Sequence, residues 1–354
     1  MRLLDRYIGV HILSGTALAL AVLLSVFSFI DFIDDLDAVG RGTYTATGAL
    51  MHSILTMPGR AFALFPPAAL IGTLLGLGSL AASRELVIMR AAGISVHRIT
   101  GSVMKSGFVL VVLSVIIGEL IAPQAGQIAV EQRTSALREP LSMMTRFGSW
   151  LRDGQSFINI RKVSADGVLE EIYIYDFDDN LRLRAATRAD AARHLDDHWE
   201  LSGIVQSSLT ARSVETREVA RARWSSELVP DMVNVTSVAP ESLSAFGLIT
   251  YLDYLRANGL STSRFELALW NKVIYPLATA VMIYLAAAMV LSRSSPMVVG
   301  QRIVVGALAG VGFHILHNTS VRVGLVYELS PLITAALPTL AFTAVAVWLV
   351  HRAD

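Results

Sequence analysis

The stretch "DFIDDLD" carries four carboxylates, Asp31, Asp34, Asp35 and Asp37. Side chains of this type at this spacing are what a bound cation or a relayed proton requires. The competing reading is a solvated acidic end to the apolar segment before it, which needs no ligand at all. Glu119, in "IIGELIAP", is a second candidate, because an ionisable group within an apolar segment is costly unless it has a role or reaches the interface. His314 and His317 stand three apart and can share a helix face, but no carboxylate sits beside them at metal-ligand spacing. Polar residues lining a bundle interface account for that pair. The fourth candidate is "AASRELVIMRAAGIS", residues 81–95, with Arg84, Glu85 and Arg90 between two long apolar runs.

No catalytic motif accompanies these groups. The chain lacks G-x-x-x-x-G-K-[ST], so it has no Walker A loop for ATP, and it lacks H-E-x-x-H. "GLGSLAAS" is glycine-rich but has no lysine, and small residues at a helix end suit close helix packing. With no cysteine there is no disulfide, thiolate zinc site or thiol nucleophile. Lys and Arg total 29, as do Asp and Glu, so net charge gives no sign of a nucleic-acid partner.

The elements that must hold these residues are read from hydropathy. Only 16% of the 354 residues are charged, against roughly 25% in soluble domains, and mean hydropathy is +0.55. Six runs reach the roughly 20 apolar residues a membrane helix needs: residues 8–30, 62–82, 99–122, 270–291, 299–319 and 332–350. The first is longer than the apolar core of a signal peptide and ends in the aspartates, so it reads as a retained helix. Pro66 and Pro67 are expected to bend the second or to end a short helix before it. "TATGALMHSILTMP" then reads as an interfacial or re-entrant helix. Arg2, Arg6, Arg84, Arg90, Arg98, Lys105, Arg293, Arg302 and Arg352 fall on one side of these spans, and Arg41, Arg60 and Arg322 on the other. The excess of positive charge predicts that both termini are cytoplasmic.

Residues 126–262 change character. "SFINIRKV", "EEIYIYDF" and "HWELSGIV" alternate apolar and polar residues with the period of half-buried strands. "SADG" and "DFDDN" supply turn chemistry. The organisation expected is therefore 1–125 with three membrane helices, 126–262 as an extracytoplasmic β domain, and 263–354 with three more helices. Ile172 and Ile174 should share one strand face, with Tyr173 and Tyr175 on the other. Phe157, Ile172 and Ile174 are candidates to line an apolar groove.

In a helix, Leu86, Met89 and Ile94 of the 81–95 stretch fall near one side, and the arginines supply polar positions. Two readings fit: a helix lying on anionic lipid, or a helix that docks into a groove on a cytoplasmic partner. "LDRYIG" at residues 4–9, "LGLGSLAASRELVIMRAAGIS" at 75–95, "IGELIAPQ" at 117–124 and "LWNKVIYPLATAVM" at 269–282 together resemble the LptF/LptG family. These are permease subunits of the lipopolysaccharide-export ABC transporter. The resemblance spans essentially the whole chain, and "LDRYIG" and "SRELVIMRAAG" are nearer the LptG type.

The resemblance implies an α-helical membrane protein of the bacterial inner membrane, with six transmembrane helices and an inserted periplasmic β-jellyroll domain. It implies a heterodimer with an LptF-like permease, two LptB-like ATPase subunits that carry ATP and magnesium, and an LptC-like periplasmic bridge. This chain itself would be non-catalytic, without cofactor or metal. Residues 83–93 match the family's coupling helix, with Glu85 at its acidic position beside Arg84, Leu86, Met89 and Arg90. At the end of the first helix the chain departs from the family. Some members carry lysines there for lipid A phosphates, where this sequence has Asp31, Asp34 and Asp37. Arg41, Arg60 and Arg322 are the nearest cations to take that role. An exporter of another amphiphile, or a scaffold with a β domain, remains the alternative function.

Overall fold

The computed structural model describes residues 2–137, 149–164, 168–178, 182–195, 198–210, 213–224, 240–291 and 299–353. Six helices long and apolar enough to cross a membrane occur among them. They are α1 (Arg2–Leu36), α2 (Ala46–Ala82), the run from α4 (Val96–Ile116) into α5 (Ala122–Leu137), α7 (Ser263–Leu291), α8 (Val299–Val326) and α9 (Pro331–Ala353). A short α3 (Glu85–Ala91) joins α2 to α4, and α6 (Ala245–Ala257) precedes α7. Arg293 lies outside the described residues, as do parts of the "SADG" and "DFDDN" turns.

Of the two outcomes expected at Pro66 and Pro67, the ending of a short helix is corrected. α2 is one helix of 37 residues through Pro58, Pro66 and Pro67, and "TATGALMHSILTMP" provides its first turns rather than a separate element. Thr45 caps the start, its Oγ1 accepting from Gly48 N at 3.3 Å. Proline is tolerated inside a membrane helix when neighbouring helices enclose it, and Phe65 through Leu70 are all buried. Of the membrane-length stretch of α2, 78% is buried, against 17% in α1. α2 is thus the hub of the bundle and α1 lies at its edge.

α1 and α2 cross backbone to backbone. A Cβ added to Gly15 or Gly72 would lie inside 3.0 Å of the opposing main chain, and one on Gly76 would lie 2.5 Å from His11 O. Small residues permit this approach, and dispersion over the close contact holds the pair together. The α4–α5 run also departs from expectation. It continues to Leu137 through a π-helical turn, Ile117–Ile121, that contains Glu119. π turns inside α-helices concentrate at functional positions.

The β domain is a six-stranded antiparallel sheet in the order β1 to β6: Ser149–Asp153, Ser156–Val163, Leu169–Phe177, Leu183–Leu195, His198–Leu209 and Val214–Trp224. The described strands form a simple meander, and no Greek-key crossover of a jellyroll occurs among them. Ile158, Ile172, Ile174, Ala189 and Ile204 lie on one buried face. Alternation breaks along a line crossing three strands at Glu171, Asp190 and Gly203. Glu171 (φ 53°) and Gly203 (φ 63°) have left-handed backbones. Leu169, Ala192 and Leu201 therefore face inward on one side of the line, and Ile172, Ala189 and Ile204 on the other. A Cβ at position 203 would collide with the Asp190 carboxylate. Tyr251, Tyr254 and Leu255 of α6 pack against this inner face, and burying a side chain such as Leu255 contributes about 2 kcal/mol.

Candidate functional site: the two ends of the first membrane helix

On the side away from the sheet, α3 is set between two sharp breaks. Arg84, at φ 61°, is a non-glycine residue in the left-handed region, which costs roughly 1–2 kcal/mol and turns the chain abruptly out of α2. At the other end Gly93 (φ 88°) closes the helix, with Gly93 N donating to Arg90 O at 3.0 Å and Ile94 N to Met89 O at 3.1 Å. This is a Schellman closure, and its usual hydrophobic contact is present because Met89 and Ile94 join the same apolar cluster as Ile8, Ile12 and Leu86. The expected face of Leu86, Met89 and Ile94 thus points into the bundle. Val87 and Ile88 point outward, 62% and 64% exposed, flanked by exposed Arg84 and Arg90.

Glu85, half-buried at the start of α3, is engaged from within the chain. Its carboxylate accepts from Tyr7 Oη at 2.7 Å and from Ser83 Oγ at 2.8 Å. These two bonds hold its carboxyl below the usual glutamate range, so it stays ionised through the physiological range. Nearby, Asp5 pairs with Lys105 Nζ at 2.7 Å and Arg98 at 3.5 Å, and also accepts from Ser102. The first turns of α1 are therefore tied to both α3 and α4.

At the sheet-side end, the four aspartates separate. Asp31 forms an ion pair with Arg60 of α2, whose guanidinium also donates to Phe27 O at 3.2 Å. Asp35 is buried, with Arg133 Nε at 3.3 Å, His52 Nε2 at 3.6 Å and Tyr44 Oη at 3.4 Å. Asp34 and Asp37 are exposed. Of the three rim arginines, Arg60 is thus neutralised by Asp31. Arg41 and Arg322 are exposed, and neither side chain has a partner among the described residues. The three do not form one cluster with Asp31, Asp34 and Asp37.

Glu119 has a defined place. Its carboxylate lies 3.3 Å from Lys272 Nζ and accepts from Ala245 N, the first residue of α6, at 2.8 Å. Lys272 also donates to Gly118 O at 2.8 Å. This junction joins the π turn, α7 and the helix that covers the sheet. His317 is buried beside Tyr275, ring centroids 4.8 Å apart, and His314 accepts from the Asn318 amide at 2.9 Å. A family model described as "Lipopolysaccharide export system permease LptF/LptG" matches residues 6–352.

The chain belongs to the LptF/LptG family. It is 37% identical over 354 residues to the lipopolysaccharide export system permease protein LptG of Escherichia coli (strain K12), covering 99% of this chain and 98% of the relative. It is 35% identical over 351 residues to the protein of the same description from Haemophilus influenzae, again covering 99% and 98%.

For this LptF/LptG member, the groove candidates divide between the two sheet faces. Ile172 and Ile174 are on the buried face, but Phe157 pairs with Tyr175 and so lies on the opposite one, edge-on to Phe177 at 5.5 Å. The inner face is largely covered by α6. A cavity of about 220 Å³ remains between Ile174, Leu201, Ile204, Val219 and Trp224, smaller than the roughly 300–1,000 Å³ typical of small-molecule sites. Sequence reasoning missed Tyr7, His52, Arg133 and Lys272. The "LDRYIG", "TATGALMHSILTMP" and "LWNKVIYP" segments contain Tyr7, His52 and Lys272, but no signal pointed to Arg133.

Proposed function

We propose that this chain is the permease subunit of an ABC transporter that extracts lipopolysaccharide from the inner membrane and passes it to a periplasmic bridge. It pairs with an LptF-like permease, takes its energy from two LptB-like ATPase subunits that hold ATP and magnesium, and delivers to an LptC-like protein. The sheet then lies in the periplasm and both termini in the cytoplasm.

The observation that carries this reading is α3. One face is locked into the bundle and the other presents two bare aliphatic side chains between arginines, which is how a short helix docks into a partner's groove. A helix kept only to lie on lipid needs neither the strained Arg84 nor the Schellman closure. Support also comes from α1, whose Leu18, Val22, Val26 and Phe29 are exposed and offer acyl chains one wall of a cavity shared with the partner permease. α8 offers Val304, Leu308 and Val311 in the same way.

Purification of the complex followed by lipid mass spectrometry tests the reading. Lipopolysaccharide should co-purify together with the ATPase; a complex that captures no ATPase favours a scaffold, and one enriched in a different amphiphile favours another exporter. The double substitution Val87→Asp/Ile88→Asp should abolish ATPase capture while leaving the unfolding temperature of the permease near its parent value, since surface changes stay within about 0.5 kcal/mol. Normal capture would remove α3 as the docking face.

The rim makes a separate prediction. A charged hydrogen bond contributes about 1.5–3 kcal/mol, so Arg322→Ala should weaken lipopolysaccharide-stimulated ATP hydrolysis on the order of tenfold. Asp31→Ala frees Arg60 and should leave stimulation unchanged or raise it. An unchanged response to Arg322→Ala beside a collapsed response to Asp31→Ala would point to an acidic, cation-bridged rim instead.

A further inference from the structure

α6 starts at the level where the membrane ends. From Ile99 to Glu119 along the α4–α5 run is about 30 Å, and from Leu291 back to Lys272 along α7 about 29 Å, each the thickness of a bilayer's hydrocarbon core. The two counts agree, because Glu119 and Lys272 are paired. Trp270 stands just beyond Lys272 and is 37% exposed, as tryptophans are at a membrane boundary. Ala245 N, at the first residue of α6, donates to Glu119 at 2.8 Å.

The residues that follow both partners of this bond are apolar and bare. Leu120 and Ile121 are 60% and 47% exposed, and Phe246 and Ile249 of α6 are 81% and 48% exposed. A single exposed apolar side chain needs no explanation, but four at one level do. The rest of the outward side of α6 carries Thr250, Asp253 and Arg256, so only its end nearest the boundary is apolar. Phe246 is held out by the way the helix begins. Ser244 Oγ accepts from Gly247 N at 3.2 Å, and Leu243 and Leu248 on either side of this cap share one cluster, the hydrophobic staple that fixes a helix's entry angle. Farther along, Tyr251 meets the Phe265 ring at 4.5 Å. Asn258, closing the helix, accepts through Oδ1 from Gly154 N between β1 and β2 at 3.0 Å. α6 is therefore braced against both the bundle and the sheet.

We propose that Phe246 and Ile249 insert into the leaflet on the sheet side of the membrane, and that α6 thereby anchors the sheet at a fixed height above the bilayer. About 8 Å of helix separates Phe246 from Tyr251, the first α6 residue in the sheet's buried cluster. The anchor thus sits close against what it supports. The occupant of this surface is lipid, because it continues the exposed Val115, Ile116, Leu120 and Ile121 of a membrane-length run. The turn to polar side chains at Thr250 matches a helix end that enters the acyl boundary only by a side chain or two. The anchor does not depend on which amphiphile the protein moves.

Because the chain has no cysteine, single nitroxide labels can be placed at Phe246→Cys, Ile249→Cys and Asp253→Cys. Each variant is assembled with a cysteine-free partner permease in nanodiscs of phosphatidylethanolamine and phosphatidylglycerol. Collisions with oxygen, which concentrates among acyl chains, are compared with collisions with a water-soluble nickel chelate. The anchor requires that labels at 246 and 249 meet oxygen and be shielded from nickel about threefold or more relative to 253. Phe246→Asp, with the label kept at 249, should about double the nickel collisions there while the unfolding temperature stays near the parent value, since the change is at the surface. Equal nickel collisions at all three positions would leave α6 in water and overturn the anchor. Shielding of position 246 from both probes would place protein against it and overturn the lipid assignment. An unchanged label at 249 in Phe246→Asp would deny that Phe246 holds the helix in the leaflet.

Discussion

Lys272→Ala is expected to cost the folded protein about 3 kcal/mol, the lower end of the cost of breaking a buried ion pair, because the carboxylate left behind is partly exposed. The Lys272 side chain is only 7% exposed, and its Nζ lies 3.3 Å from Glu119. Removing it leaves the Glu119 carboxylate, 25% exposed, with only its bond from Ala245 N, and leaves Gly118 O without the 2.8 Å bond from Nζ. The unfolding temperature in detergent should fall on the order of 10 °C. The double substitution Glu119→Gln/Lys272→Met, which removes both charges and keeps the volume, should recover more than half of that loss. The damage should extend to the sheet, because Glu119 also accepts from the first residue of α6 and α6 covers the inner face. If Lys272→Ala unfolds at the parent temperature, the junction does not hold these elements together.

Gly72→Ala is the second large effect. The added methyl group would meet the Thr16 backbone inside 3.0 Å, and backbone cannot yield as a flexible side-chain tip does. Overpacking of this kind costs typically 1–3 kcal/mol, and here α1 must separate from α2 to relieve it. Gly59→Ala, in the same helix, meets nothing within 4 Å and should instead gain up to about 1 kcal/mol from helix propensity. The pair of variants, compared by thermal unfolding and by recovery of the partner permease, separates the crossing from a general effect of glycine. Equal behaviour of the two would deny that α1 and α2 meet there.

Much of the architecture was legible because membrane helices are set by length and hydropathy, which are local. All six spans were visible in this way, and the alternation in "SFINIRKV", "EEIYIYDF" and "HWELSGIV" located β2, β3 and β5. α3 was legible from its position between two apolar runs, and the resemblance gave it a role. What escaped was non-local. Tyr7 and Glu85 are 78 positions apart, and Glu119 and Ala245 are 126 apart, so nothing in local spacing joins them. The prolines of α2 do not end a short helix, as one of the two expectations had it, because their cost depends on the surrounding helices and α2 is the most enclosed of the six described spans. Phe157, Ile172 and Ile174 were not expected to share one face, because register is set strand by strand, and the pairing of Phe157 with Tyr175 indeed puts it opposite the two isoleucines. The aspartates were read as a single acidic patch, although Asp31 and Asp35 are neutralised by arginines from α2 and α5.

The central claim is that this chain moves lipopolysaccharide when an ATPase acts on α3. Its most direct test is lipid release from proteoliposomes that contain this chain, its partner permease and the ATPase, with a soluble periplasmic β-domain acceptor outside. Lipopolysaccharide carrying a photo-crosslinkable acceptor site is followed over time, with and without ATP. The account predicts ATP-dependent transfer that disappears when this chain is omitted and when Val87→Asp/Ile88→Asp replaces the parent. Transfer that proceeds equally without this chain, or equally with the α3 variant, would contradict it.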